Sequence, residues 1–439
     1  MSSRENKGLS PLQAITYSSG NLSAYLINQV IVMWAIYFYA PGQGGEHEVA
    51  RGVVRYAPIA LLGYAMLFGR VVDAVADPLV GYWSDSMRTR FGRRIPFVLA
   101  GTPFLALFAI VLWRPPVAAE SSANALYFAA VLGLFFFFYT VVVAPYLSML
   151  PELVTSNERR VGLSTSQAFF GLLGLTVATL ASGPLIDRYG FFTMGSIMAA
   201  ITVVFSYLSV SLVREKRVLD AQAAPFNFVE SVAASFKNTP FVRWIATIGL
   251  FWVGFNVVQM GGPYYITVLL KGTKTDASVM QAVTLLVVVP MLPVVYLAAG
   301  RFGKRRLILA AMVGLSAITP LFALTPYVEF MPKKIFAYLL FGLLGLPVSV
   351  LMALASAVIA DVVDHDEKLT GRRREAMYFG MQGLVTKSAI GVSSVVGTQL
   401  FFRFGYSADN YTGILLTGPF SAVFTFLGFL VFYRYSIDK

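Results

Sequence analysis

The sequence predicts an all-α integral membrane protein with about twelve transmembrane helices in two six-helix repeats. Three observations carry that reading. Of 439 residues, 57% are hydrophobic and 13% charged, and the mean hydropathy is +0.70, a composition suited to lipid. Apolar stretches long enough to cross a ~30 Å hydrocarbon core recur along the whole chain, where a soluble protein would show shorter periodic runs. A basic stretch, "RFGRRIPFVLAG" from Arg90, returns as "RFGKRRLILAAMVG" from Arg301, six spans later by the boundaries that follow.

The first span is expected at 14–40, behind a polar start that lacks the apolar core and cleavage site of a signal peptide and so reads as a retained cytoplasmic tail. The second, 57–84, runs into a loop holding Arg88, Arg90, Arg93 and Arg94. Spans 96–113 and 124–150 lead to Arg159 and Arg160, and spans 161–187 and 190–213 to Arg214, Lys216 and Arg217. The longest connection follows, and in it Phe226, Phe228, Val229 and Val232 can form the apolar stripe of an amphipathic surface helix. The second half reads as spans 242–270, 277–299, 306–326, 334–362, 376–402 and 410–434, with Arg301, Lys304, Arg305 and Arg306 after its second span and Arg372, Arg373 and Arg374 after its fourth. The domains are therefore 1–213, an N-terminal six-helix bundle; 214–241, a cytoplasmic linker with an amphipathic helix; and 242–439, a C-terminal six-helix bundle.

Charge sets the orientation. Lys and Arg gather in the even-numbered connections, while connections such as "APGQGGEHEVARG" and "TPYVEFMPKK" are richer in Gly, Pro and acids, so both termini are expected in the cytoplasm of a cell whose plasma (inner) membrane holds the chain. That distribution accounts for the net charge of +12 without a nucleic-acid partner. The chain has no cysteine, which excludes disulfides and thiol chemistry, and its two histidines, His47 and His365, fall in loops on opposite sides. No His-Glu-x-x-His, Gly-x-Ser-x-Gly or phosphate-loop pattern is present. No catalytic residue, metal site or cofactor is expected, and the partners are a small-molecule substrate and the bilayer, with the protein a monomer. A channel is the competing membrane class; the parallel repeat with intramembrane acids favours a carrier.

Those acids stand in "RVVDAVADPLVGYW". Asp73 and Asp77 lie one helical turn apart on one face of the second span, with Arg70 on that face too. Each carboxylate costs on the order of 2.5–3.5 kcal/mol in a bilayer, so they require a cation, a proton, a basic partner or a water-filled cavity. Either Arg70 neutralises them as an internal ion pair, or they bind a coupling ion. Lys387, alone inside the apolar eleventh span, either snorkels to the interface or approaches the acids. Polar residues along the other spans, Tyr25, Asn28, Gln167, Asn256, Gln259, Tyr378 and Gln382, are candidates for substrate contacts or for interhelical hydrogen bonds.

Two resemblances sharpen this. "GYWSDSMRTRFGRR" resembles the loop between the second and third helices of the major facilitator superfamily, with Gly81, Asp85, Gly92, Arg93 and Arg94 in place; it implies a charge clamp at the cytoplasmic gate that breaks as the halves rock. "DAVADPLVGYWSDSMRTRFGRR", "YTVVVAPYLSMLPELVTSNERR" and "ADVVDHDEKLTGRRREAMYFGMQGLVTKS" together resemble the glycoside-pentoside-hexuronide:cation symporter family, which includes the melibiose permease and has lysolipid carriers among its relatives. The resemblance implies a rocker-switch symporter with Asp73 and Asp77 as ion-binding acids and Thr140 and Lys387 completing the cation region. Ala76 stands where the permease has an asparagine, which removes a neutral oxygen from a sodium shell and makes a proton more fitting, so H+ and Na+ both stay open. Tyr25, Val143, Gln167 and Leu147 occupy positions where the permease carries its sugar-binding acids, arginine and aromatic platform. The solute is therefore a glycoside, pentoside or hexuronide, or alternatively a lysolipid or other amphiphile.

Overall fold

The computed structural model describes residues 9–42, 54–154, 156–215, 236, 238–370 and 375–435. The stripe Phe226, Phe228, Val229 and Val232, His47 and Arg372–Arg374 lie outside them. Among the described residues there is no β-strand, only an isolated bridge between Thr89 and Gly92. A backbone in hydrocarbon must satisfy its own polar groups, and long runs of Leu, Ala, Val and Phe do so as helices. Twelve long helices result among the described residues, besides a short one at Leu150–Leu153. The first six are α1 (Pro11–Tyr39), α2 (Ile59–Ser86), α3 (Ile95–Val111), α4 (Ser122–Ser148), and α5 (157–189) and α6 (191–211), which form one helical run broken at Gly190. The others are α7 (Thr239–Tyr264), α8 (Lys274–Phe302), α9 (Lys304–Ile318), α10 (Lys333–Thr370), α11 (Glu375–Phe404) and α12 (Thr412–Tyr433).

Departures from the expected spans have local causes. The fifth and sixth spans were expected with a short loop between them; Gly190 alone turns the chain, at φ 80° and ψ 170°, a conformation that only glycine adopts without strain. α9 stops early and continues as a 3₁₀ helix, Thr319–Tyr327, containing Pro320 and Pro326, neither of which can donate to a helical ladder. α7 passes into a π-helical turn at Tyr265–Leu269. Capping boxes start α1, between Ser10 and Gln13, and α8, between Thr273 and Asp276. α12 ends under two cations: Arg305 donates to the carbonyl of Tyr433 at 2.6 Å, and Arg243 to that of Arg434, which satisfies end carbonyls and complements the helix dipole.

The chain divides into two compact units, Met1–Pro41 with Val54–Ala221, and Gly42–Val53 with Gln222–Lys439. In the first, α1 packs on the α5–α6 run, α2 on α4, and α3 on α4 and the α5–α6 run. In the second, α7 packs on α11 and α12, α8 on α10, and α9 on α10 and α12. The pairings of the first unit thus recur in the second, shifted by six helices, as an internal repeat requires.

Candidate functional site

Glycine and proline shape the acid-bearing stretch of α2. A Cβ at Gly69 would stand 2.9 Å from Phe136 Cδ2 and 3.1 Å from Leu132 Cγ of α4, so only glycine lets the two helices meet this closely. That approach lays the Arg70 guanidinium over the Phe136 ring, 4.1 Å from its centroid. One turn on, Thr140 of α4 donates its hydroxyl to Asp73 Oδ1 at 2.7 Å and reaches Asp77 Oδ1 at 3.5 Å. Pro78, directly after Asp77, has no N–H for the carbonyl of Ala74 and loosens α2 there.

Three helices converge on Arg70. Its Nη1 reaches Asp73 Oδ2 at 3.4 Å, and its Nη2 donates to Asn28 Oδ1 of α1 at 3.2 Å. Asp73 is fully buried and Arg70 is 3% exposed, whereas Asp77 is half-buried. Both carboxylate oxygens of Asp73 are therefore engaged, one by a cation and one by a hydroxyl. Two carboxylates one helical turn apart repel each other in such a setting, and a monovalent cation or a proton bound there would relieve that repulsion. Tyr139, beside Thr140, adds a phenol within electrostatic range of Asp73 and Arg70. Sequence reasoning passed over it inside "FFFFYT", where its hydroxyl was the available signal.

A second charged cluster closes the basic end of the first unit. Arg94 Nη2 bonds Asp85 at 2.8 Å and its Nη1 lies 2.8 Å from Glu152, which Arg93 also engages. Glu215, just after α6, accepts from the backbone N–H of Arg93, and at 2.8 Å from those of Arg94 and Ile95. It caps the amino end of α3, where an anion is favoured. Gly92 has φ 113°, and a Cβ there would fall 2.5 Å from a Glu215 oxygen, so this glycine is required twice over. Gly81 faces open space. The motif loop thus joins four helices within one unit, and Glu152 and Glu215 are members that the motif did not reveal.

The other candidates scatter. Tyr25 is 49% exposed and its ring lies against Gly171 of α5. Gln167 is an interhelical tie: its Nε2 donates to the Tyr146 hydroxyl at 2.9 Å, and Asn21 donates to its carbonyl at 2.9 Å. Gln382, on the fifth helix of the second repeat as Gln167 is on that of the first, accepts from Trp244 Nε1 at 2.7 Å, and Tyr378 accepts from Asn238 at 3.2 Å. Asn256 donates to the carbonyl of Trp252 at 2.7 Å in its own helix. Lys387 is half-buried on α11 in the second unit. Among the described residues no group of histidines and acids could hold a metal.

Comparison with known proteins gives consistent results. The family model described as "MFS/sugar transport protein" matches residues 16–439. The chain is similar to the isoprimeverose transporter of Lactiplantibacillus pentosus, 24% identical over 91% of this chain and 81% of the relative. It is similar also to the sodium-dependent lysophosphatidylcholine symporter 1 of Mus musculus, 24% identical over 85% of this chain and 78% of the relative. Among solved structures, the nucleoside transporter NupG matches with a TM-score of 0.72 at 13% identity, covering 97% of this chain and 100% of that one, a likeness of fold alone.

Proposed function

Because the chain belongs to the MFS/sugar transport protein family, whose members are membrane transporters and not enzymes, we propose that it is a cation-coupled symporter moving a small organic solute by alternating access. The solute is a glycoside, pentoside or hexuronide, and the coupling ion is H+ or Na+. One observation carries the reading: the Thr140 hydroxyl donates to Asp73 and reaches Asp77, which draws the two acids of α2, with Arg70 beside Asp73, into one cluster. Asp73 is held by Arg70 and Thr140, and half-buried Asp77 exchanges the ion. Binding that ion removes repulsion and desolvation cost together, so occupancy biases one state over the other. Lys387, a basic residue in an apolar helix, serves as the charge that tunes ion affinity. The basic end of the first unit faces the cytoplasm, as do both termini, and the Asp85–Arg94–Glu152 cluster acts at the cytoplasmic gate.

A second reading, transport of a lysolipid or similar amphiphile, is favoured by large exposed side chains at two of the positions where the resemblance expects polar sugar contacts: Leu147 is 46% exposed and Tyr25 49%. Both are tested with the purified protein by thermal stabilisation against glycosides, uronides and lysophosphatidylcholine, with and without sodium, and by accumulation in proteoliposomes. Asp73→Asn and Asp77→Asn should each abolish accumulation against a gradient while exchange partly survives. If both variants still concentrate solute at the parent's rate, the pair is structural.

A further inference from the structure

Helix α7 changes its winding toward its carboxyl end, where Gly261, Gly262 and Pro263 lead into the π-helical turn at Tyr265–Leu269. Pro263 has no N–H to give the carbonyl of Gln259, four residues back, so the ladder loosens at that residue. Single π-helical turns of this kind recur at functional sites.

At this turn two amide side chains hold atoms of opposite character that no protein group satisfies. Gln259 Oε1, an acceptor, and Gln281 Nε2, a donor from α8, are both buried without a hydrogen-bond partner, and Gln281 is 3% exposed. Gly262 admits the α8 amide: a Cβ there would stand 3.1 Å from Gln281 Nε2, with Met280 and Phe341 at 3.5 Å. Gln259 and Gly262 are spaced i,i+3 and share a face of α7, so Gln259 belongs to the face that Gln281 meets. Buried polar groups left unsatisfied are few in native proteins, because each forfeits its hydration.

An aliphatic hydroxyl is at once a donor and an acceptor. One such group between the two side chains would donate to Gln259 Oε1 and accept from Gln281 Nε2. We propose that Gln259 and Gln281 form a hydroxyl-binding subsite at the loosened turn of α7, taking one hydroxyl of the transported solute. The proposal rests on the transport reading above and deepens it. Glycosides carry several hydroxyls and a lysophospholipid carries one on its glycerol, so both solute classes share the chemistry. Occupation ties α7 to α8 across the loosened turn, and recognition thereby favours the arrangement of the turn that brings the two amides together.

The experiment uses the full-length protein in nanodiscs with no ion gradient. Thermal stabilisation is read for isoprimeverose, for methyl β-glucoside, and for 1-acyl lysophosphatidylcholine beside its 2-deoxy counterpart. One class should stabilise the parent, and Gln259→Leu and Gln281→Leu should each weaken that binding about tenfold, as loss of one hydrogen bond implies. The unliganded double variant should melt no lower than the parent, since two unsatisfied amides are gone; Gln281→Met, closer in volume, guards against a packing defect. If the lysolipid is the ligand, its 2-deoxy form should bind parent and double variant alike. Equal binding of the stabilising compound by parent and double variant would overturn the subsite, the amides then meeting only water. A double variant and a Gln281→Met protein that both melt lower would overturn it too, as would a parent stabilised by neither class. Because binding is read without a gradient, failure of ion coupling in the Asp73 and Asp77 variants leaves this result standing, and the reverse.

Discussion

Thr140 donates its hydroxyl to Asp73 at 2.7 Å across a helix contact that exists because position 69 has no side chain. The acid is thus held by a neutral donor on one oxygen and by Arg70 on the other, and the helix spacing that permits both is encoded one turn away.

Removing the Thr140 hydroxyl leaves a buried carboxylate oxygen without its donor. Thr140→Ala should cost about 1.5–3 kcal/mol, the range for a hydrogen bond to a charged group, read as reduced melting temperature or weaker ion binding. Thr140→Ser should retain most of both. A Gly69→Val protein, which drives a side chain into Phe136, should lose more than Thr140→Ala. An unchanged ion affinity in all three would remove Thr140 from the site.

Arg70 is the buried cation paired with Asp73. Arg70→Met should destabilise the protein by about 3–5 kcal/mol, as expected when one partner of a buried ion pair is deleted. Adding Asp73→Asn should restore most of that, because no uncompensated charge remains. Unfolding in detergent compares the two; a double variant as unstable as the single one would show that Arg70 acts through packing on Phe136 and its bond to Asn28.

Gly92→Ala imposes a side chain at φ 113° and into the Glu215 carboxylate. The expected loss is about 1–3 kcal/mol from backbone strain, with the cap of α3 displaced as well. Glu215→Gln should be milder, since the amide oxygen still accepts from the helix end. Thermal melting ranks them, and Glu215→Gln as damaging as Gly92→Ala would assign the effect to charge.

Within the basic cluster, Asp85 and Glu152 should differ. The Asp85 side chain is 56% exposed and Glu152 17%, so Asp85→Ala should change stability by less than about 1 kcal/mol, as surface ion pairs do. Glu152→Gln, which uncouples two arginines, should cost more. Asp85→Ala should also raise the alkylation rate of cysteines introduced at this end, if the cluster holds the gate shut; an unaltered rate would confine its role to the helix ends.

Helix positions were legible because an apolar run of span length has few alternatives to helix, and the acids because charges in such a run are costly. Arg70, Asp73 and Asp77 share a face by spacing alone, and Thr140 entered through a resemblance. What stayed hidden depends on contacts distant in sequence. Glu215 lies more than a hundred residues from the helix end it caps, and Gln167 meets Tyr146 through a fold no local pattern specifies. Gln167 and Gln382 read as substrate candidates because a buried amide looks alike whether its partner is a ligand or a neighbouring helix. Gly69 and Gly262 left no signal either, since a glycine's use is the shape of what packs on it.

The junction at Gly190 bears on how the chain is made. With one residue turning α5 into α6, no length of polypeptide exists there to be threaded across the bilayer as a separate step. The two helices are therefore expected to enter the membrane as one hairpin and not in two separate steps. Gly303 alone likewise separates α8 from α9, so each half of the chain holds one such single-residue hairpin.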